Sequence, residues 1–207
     1  MLEFEKETHT YLKDGIILKS VTQILAELFP DKYEGIPDYI LEEKARYGTE
    51  LHKFIETIEK KKPKNPIAYI KKHFKPSIYQ IESLKEYLRL KKEHNIEVLE
   101  SEKRVVYKNY YGGTLDIKGL VNNKSAIIDI KTTYELDNVY VSFQNSLYEM
   151  ADEPVKRLYC LWLPKGRRGK LVEVKRINKK VLKKLVGEIK WKKKKFIWKV
   201  IKDLTKI

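Results

Sequence analysis

The sequence predicts an α/β domain, a central mixed sheet flanked by helices, on three observations. Apolar residues recur at helical spacing over about 38–60 and again over about 77–94. Strand patterns then dominate from Val98 to Lys131. A further helix at about 139–151 leads into the apolar, strand-like run Leu158–Leu163. Helix, then strands, then helix, then strand is the element order of an α/β core.

The elements follow from local signals. Residues 8–19 read as a small hairpin turning at Asp14-Gly15. Ser20 can cap a helix through Val21, Ile24, Leu25 and Leu28, which ends before Pro30. Leu41, Ala45, Gly48, Leu51, Ile55 and Ile58 mark one face of the second helix. The stretch Lys60-Lys61-Lys62-Pro63-Lys64-Asn65-Pro66 breaks the chain. Ser77 can cap the third helix, with Ile78, Ile81, Leu84 and Leu88 inward. After the run holding Cys160 come a basic loop, Pro164–Lys170, and an alternating strand, Leu171–Ile177. Asn178 can cap a final helix with Val181, Leu182, Leu185, Val186 and Ile189 on its apolar face. Beyond Trp191-Lys192-Lys193-Lys194-Lys195 the pattern resumes at Ile197, Val200, Ile201 and Leu204.

The most informative stretch is a hairpin. Gly112–Val121 and Lys124–Thr132 flank Asn122-Asn123, and Asn tolerates the positive φ of a two-residue primed turn. That turn pairs Val121 with Lys124, Ile117 with Ile128 and Asp116 with Asp129. Leu115, Ile117, Val121, Ala126, Ile128 and Ile130 form the apolar face that fixes the register. Two directly opposed carboxylates repel unless a cation lies between them. Lys131 projects from the same face as Asp129, two residues on. Two acids and a lysine on one face make a divalent-metal site with a cationic helper, and hard oxygen donors favour Mg²⁺ or Mn²⁺.

Composition narrows the class. At 207 residues the chain is one domain, or one domain with an appendage. Its 44 basic and 29 acidic residues give a formal charge of +15, which fits a polyanionic partner. A single cysteine excludes a disulfide framework and a cysteine-ligated iron–sulfur cluster. No apolar run approaches the length of a membrane span, and the acidic start Met1–Glu7 is not a signal peptide, so the expected location is intracellular. The basic clusters Lys165, Arg167, Arg168, Lys170 and Lys192, Lys193, Lys194, Lys195 are candidate DNA contacts, with Trp191 a stacking candidate. The alternative for the second cluster is an aromatic core seam with a solvated lysine face.

These pieces resemble a known family. Gly48-Thr49-Glu50-Leu51-His52, then Glu102, then Gly113-Thr114-Leu115-Asp116, then Asp129-Ile130-Lys131-Thr132, then Gln144-Asn145-Ser146-Leu147-Tyr148 occur in the order of the PD-(D/E)XK nucleases. The resemblance is closest to their RecB-like exonuclease branch and covers about residues 40–150. The opening His9-Thr10-Tyr11, Asp14-Gly15 and Ser20-Val21-Thr22 looks like the start of phage members of that branch. The resemblance implies a restriction-endonuclease-like core over about 40–177, with a basic helical segment over about 178–207. It implies a DNA exonuclease using one or two Mg²⁺ or Mn²⁺ ions held by His52, Asp116, Asp129 and the Ile130 carbonyl; the alternatives are a structure-selective or sequence-specific endonuclease on the same fold, or a catalytically silent nucleic-acid-binding module. Asp116, Asp129, Lys131, Glu102, Gln144 and Tyr148 would be its catalytic residues. Glu102 competes with Glu100 for its role, in an alternating run. Gln144 and Tyr148, four apart on a helix, would position the scissile strand. His9, His73 and His94 are read as structural.

Overall fold

A computed structural model describes residues 2–5 and 10–190. Within them the order is β1 (Leu2–Glu5), β2 (Thr10–Lys13), β3 (Ile16–Ser20), α1 (Val21–Leu28), α2 (Asp38–Lys61), α3 (Pro66–His73), α4 (Ile78–Glu93) and β4 (Ile96–Tyr107), then β5 (Tyr111–Val121), β6 (Lys124–Lys131), α5 (Asn138–Ala151), β7 (Arg157–Trp162), β8 (Lys170–Glu173) and α6 (Lys179–Lys190). The strands form a mixed eight-stranded sheet in the order β1-β2-β3-β5-β6-β7-β8, with β4 paired to β5. The pairs β3–β5 and β6–β7 are parallel.

The local signals act as their chemistry requires. The Ser20 side chain accepts from the Gln23 amide and Gln23 bonds back to the Ser20 N–H, a reciprocal cap that Ser77 and Gln80 repeat on α4. Asp14 and Gly15 have φ of 51° and 78°, and Asn122 and Asn123 have 46° and 62°, so both hairpins close on left-handed residue pairs. The second turn sets the register Val121↔Lys124 through Ile117↔Ile128.

Two apolar layers sandwich the sheet. Ile24, Leu25, Phe143, Leu147, Leu182 and Leu185 bring α1, α5 and α6 onto Ile127, Leu158 and Cys160. Leu51, Ile55, Ile70, Leu84 and Tyr87 bring α2, α3 and α4 onto Ile117, Val121, Ala126, Ile128, Ile130 and Leu161. Leu115 departs from the expected face and packs with the first layer. The alternation breaks where the β5–β6 ladder ends, opposite Glu102, whose φ is 53°.

Other expectations change. Asn65 caps α3 through its bond to the Ala68 amide, so a short helix follows the lysine break directly. Ile78 is exposed, because it starts α4 before the helix meets the core. The strand expected over 171–177 stops at Glu173: Ile177 N–H bonds the Ser146 hydroxyl at 2.9 Å, and Arg176 bonds Glu149 and the Val155 carbonyl, so α5 captures this segment. Cys160 is fully buried. The stretch from Trp191 onward lies outside the described residues.

Candidate metal centre

The sheet opens where the motif residues gather. β4 occupies one edge of β5 throughout. On the other edge β3 pairs with Tyr111 and Gly112, and β6 pairs from Ile117 onward. Residues 113–116 lie in the fork between them. Gly113 is required there: a Cβ would stand 2.7 Å from the Tyr148 ring and 3.0 Å from Val21. Gly48 allows α2 to approach the end of β6, its Cβ position being 3.2 Å from the Thr132 hydroxyl oxygen.

Asp116 is not the ladder partner of Asp129 that the turn arithmetic suggests. The ladder ends one pair earlier, at Ile117↔Ile128, and Asp116 Oδ2 accepts the Ile130 N–H at 2.6 Å. The side chain thus takes a backbone donor that a longer ladder would have paired. His52 reaches the same point from α2. Its Nδ1 is 3.4 Å from Asp116 Oδ1 and its Nε2 is 3.1 Å from the Ile130 carbonyl oxygen. A carbonyl only accepts, so Nε2 carries a proton, and the carboxylate facing Nδ1 favours a second. Burial lowers the His52 pKa, but the Asp116 charge outweighs it and leaves the imidazole above its ordinary value. Burial likewise raises Asp116, and His52, Lys131 and the Ile130 N–H outweigh it, holding the carboxyl below its usual range.

Asp129 is buried on the α5 side of β6, and Lys131 Nζ lies 2.7 Å from its Oδ2. Burial pushes the Asp129 carboxyl up to about 6; Lys131 opposes this and Asp116 adds to it. Burial works against the Lys131 charge, yet Asp129 and Asp116 prevail and hold the ammonium firmly protonated. Glu102 completes the group. It stands inside β4, and burial, then Asp116, push it up to about 7. Glu100 is instead paired with Lys103 at 2.9 Å.

Among the described residues, the donors close enough to share one cation are His52, Glu102 and Asp116, whose ligand atoms lie within 4.8 Å of one another. This differs from the expected set. Asp129 is held by Lys131, the Ile130 carbonyl is held by His52, and Glu102 takes a direct place. The sequence signal for Glu102 was its position before Asp116; its left-handed backbone, which aims it, was not readable. One nitrogen and two carboxylate oxygens suit Mn²⁺ and Mg²⁺. Gln144 and Tyr148 close the α5 side, 3.3 Å apart, with the Gln144 amide oxygen buried without a hydrogen-bond partner among the described residues. Burial, then Asp116 and Asp129, hold the Tyr148 phenol protonated.

Lys165, Arg167, Arg168 and Lys170 are all exposed. Lys165 lies 5.0 Å over the Tyr79 ring and Arg167 lies 4.0 Å over the Tyr134 ring. Trp191 and Lys192–Lys195 lie outside the described residues.

The titrations give a pH prediction. A carboxyl raised by folding favours the folded state when protonated, so Asp129 and Glu102 cost stability as pH rises from their unfolded values to about 6 and about 7. His52, also raised, loses its contribution above its unfolded value. All three therefore act in one direction between about pH 4 and 7. The metal-free protein is expected to melt at a lower temperature at about pH 8 than at about pH 5, with a smaller drop in Glu102→Gln. Calorimetry in EDTA checks this, and equal slopes in parent and variant would refute the Glu102 contribution.

No family model matches the chain, and no curated protein matches it. Among solved structures, it is similar to one described as "Crystal structure of SSO0001", with 15% identity over 92% of this chain and 82% of that chain and a TM-score of 0.46. A likeness at that level bears on neither the site nor its chemistry.

Proposed function

We propose that the chain is a divalent-metal-dependent DNA nuclease, an exonuclease of the kind that processes DNA ends in recombination, repair or replication. The observation that carries the reading is the shared-donor group His52, Glu102 and Asp116, set beside buried Asp129 and its half-buried partner Lys131. A surface patch has no reason to bring three acids, a histidine and a lysine to the one fork in a sheet. The resemblance in motif order and the charge of +15 support DNA as the polyanion.

His52, Glu102 and Asp116 would hold the ion, with Asp129 next to them. A bound divalent ion supplies Lewis-acid polarisation of the phosphate and lowers the pKa of water. Lys131 stays protonated, which suits neutralising charge that develops on the phosphate rather than accepting a proton from water. Loading requires His52 and Glu102 to give up protons, so it is favoured as pH rises through neutrality. Gln144 and Tyr148 supply a fixed acceptor and donor for orienting the strand.

The test is cleavage of end-labelled linear DNA and of covalently closed plasmid. EDTA is expected to abolish digestion of the linear substrate, and Mn²⁺ or Mg²⁺ to restore it. Undiminished digestion in EDTA would end the metal mechanism. Linearisation of the closed plasmid would replace exonuclease with endonuclease on the same site.

A further inference from the structure

We infer that the groove lined by Tyr134 and the residues that follow β6 holds unpaired nucleotides of single-stranded DNA, with Tyr134 as the surface on which a base stacks. The inference rests on the nuclease reading and names the form of its substrate.

The groove has a volume of about 790 Å³ and runs between residues 28–44 and 133–139. Leu28, Phe29, Ile36, Leu41, Leu136 and Val139 make much of its wall. Its charged lining is Asp31, Glu135 and Asp137 against Lys32 and Lys44, and Lys32 is already bound to Asp137 at 2.6 Å. Such a wall suits the flat apolar faces of bases and repels phosphates. The phosphates have a place alongside, on the exposed loop carrying Lys165, Arg167 and Arg168. The two surfaces meet at one residue. Tyr134 is 68% exposed, yet Arg167 lies 4.0 Å over its ring and donates to its carbonyl oxygen. Arg167 also lies 5.5 Å from the ring of Trp162, whose indole N–H donates to the Thr133 carbonyl at 2.8 Å. Trp162 stands directly opposite Lys131 in the β6–β7 ladder. A strand with a phosphate on Arg167 would therefore set its base against Tyr134 and the groove, one strand away from the Asp129–Lys131 pair.

A duplex cannot use this arrangement along its length, because pairing and stacking bury the base faces and leave phosphates and groove edges outside. An apolar groove alone would equally suit a protein partner. The cation-capped tyrosine at the junction of an apolar wall and a basic loop is what favours a single strand.

The experiment is fluorescence anisotropy of the full chain in EDTA, where binding proceeds without cleavage. Probes are an oligothymidylate and a blunt duplex of equal length. The single strand is expected to bind about tenfold or more tighter. Tyr134→Ala should weaken single-strand binding about tenfold and leave duplex binding unchanged, while Tyr134→Phe retains the parent's affinity. Tyr134 is exposed, so neither change threatens folding, which circular dichroism verifies. Equal affinity for the two probes, or a loss in Tyr134→Ala that Tyr134→Phe does not restore, overturns the inference. Metal-dependent cleavage by the parent is measured separately. Its absence with single-strand preference intact would remove the nuclease reading alone; its presence with equal affinities would remove the groove alone.

Discussion

Asp129→Asn is expected to lower metal-dependent cleavage by on the order of 10²-fold or more, while the folded protein at about pH 8 is no less stable than the parent. The two halves have one cause. Asp129 is buried beside Asp116, and its carboxyl is pushed up to about 6, so the fold disfavours its charge. Asparagine keeps the shape and removes that charge. Lys131 loses a partner at 2.7 Å but retains Asp116 among the acids that hold it protonated. On the proposed function, a charge that costs the fold stability serves the chemistry. Single-turnover cleavage and thermal melts of the same preparations decide it. Parent-like cleavage by the variant would remove Asp129 from the reaction, and a large loss of melting temperature would make the pair structural.

Gly119→Val is expected to destabilise the fold by about 3 kcal/mol or more, lowering the melting temperature by roughly 10 °C. A Cβ at Gly119 would stand 2.0 Å from the Glu97 carbonyl oxygen, a backbone atom that cannot swing aside. The close approach belongs to the register shift between Val98 and Glu100, which lets long β4 follow β5. Gly187→Ala in α6 is the matched control. Among the described residues nothing lies within 4 Å of its Cβ position, so there the change should be neutral or stabilising by up to about 1 kcal/mol. Equal melting temperatures for the parent and Gly119→Val would show that β4 can slide.

Much of the scaffold was legible because its signals are local. Asn122-Asn123 dictates a primed turn, that turn dictates which residues oppose, and Ser20 and Ser77 each carry a glutamine three residues on. The α/β class follows from the element order. What escaped depends on atoms distant in sequence. Asp116 and Asp129 are opposed by turn arithmetic, yet Asp116 takes the Ile130 N–H and the ladder stops short. Glu102 enters the donor group through a left-handed backbone that no residue type announces. The helix at 66–73 was hidden by the lysine run before it, although Asn65-Pro66 is a sound start signal. Residues 174–177 alternate like a strand but are claimed by Ser146 and Glu149 from α5. The groove beside Tyr134 is assembled from two segments far apart in sequence, 28–44 and 133–139, and neither is unusual alone.

Cys160 gives the molecule a built-in clock. It is the chain's one cysteine, fully buried and opposite Asp129 in the β6–β7 ladder, and burial holds its thiol well above the ordinary range. Its side chain lies in the layer that α1, α5 and α6 press onto the sheet, so reaction with a thiol reagent waits for those helices to lift. The rate of that reaction times the lifting of the layer that covers β6 and β7 beside Asp129. A ligand that slows the modification braces that layer over the candidate site, and one that leaves it unchanged is held elsewhere.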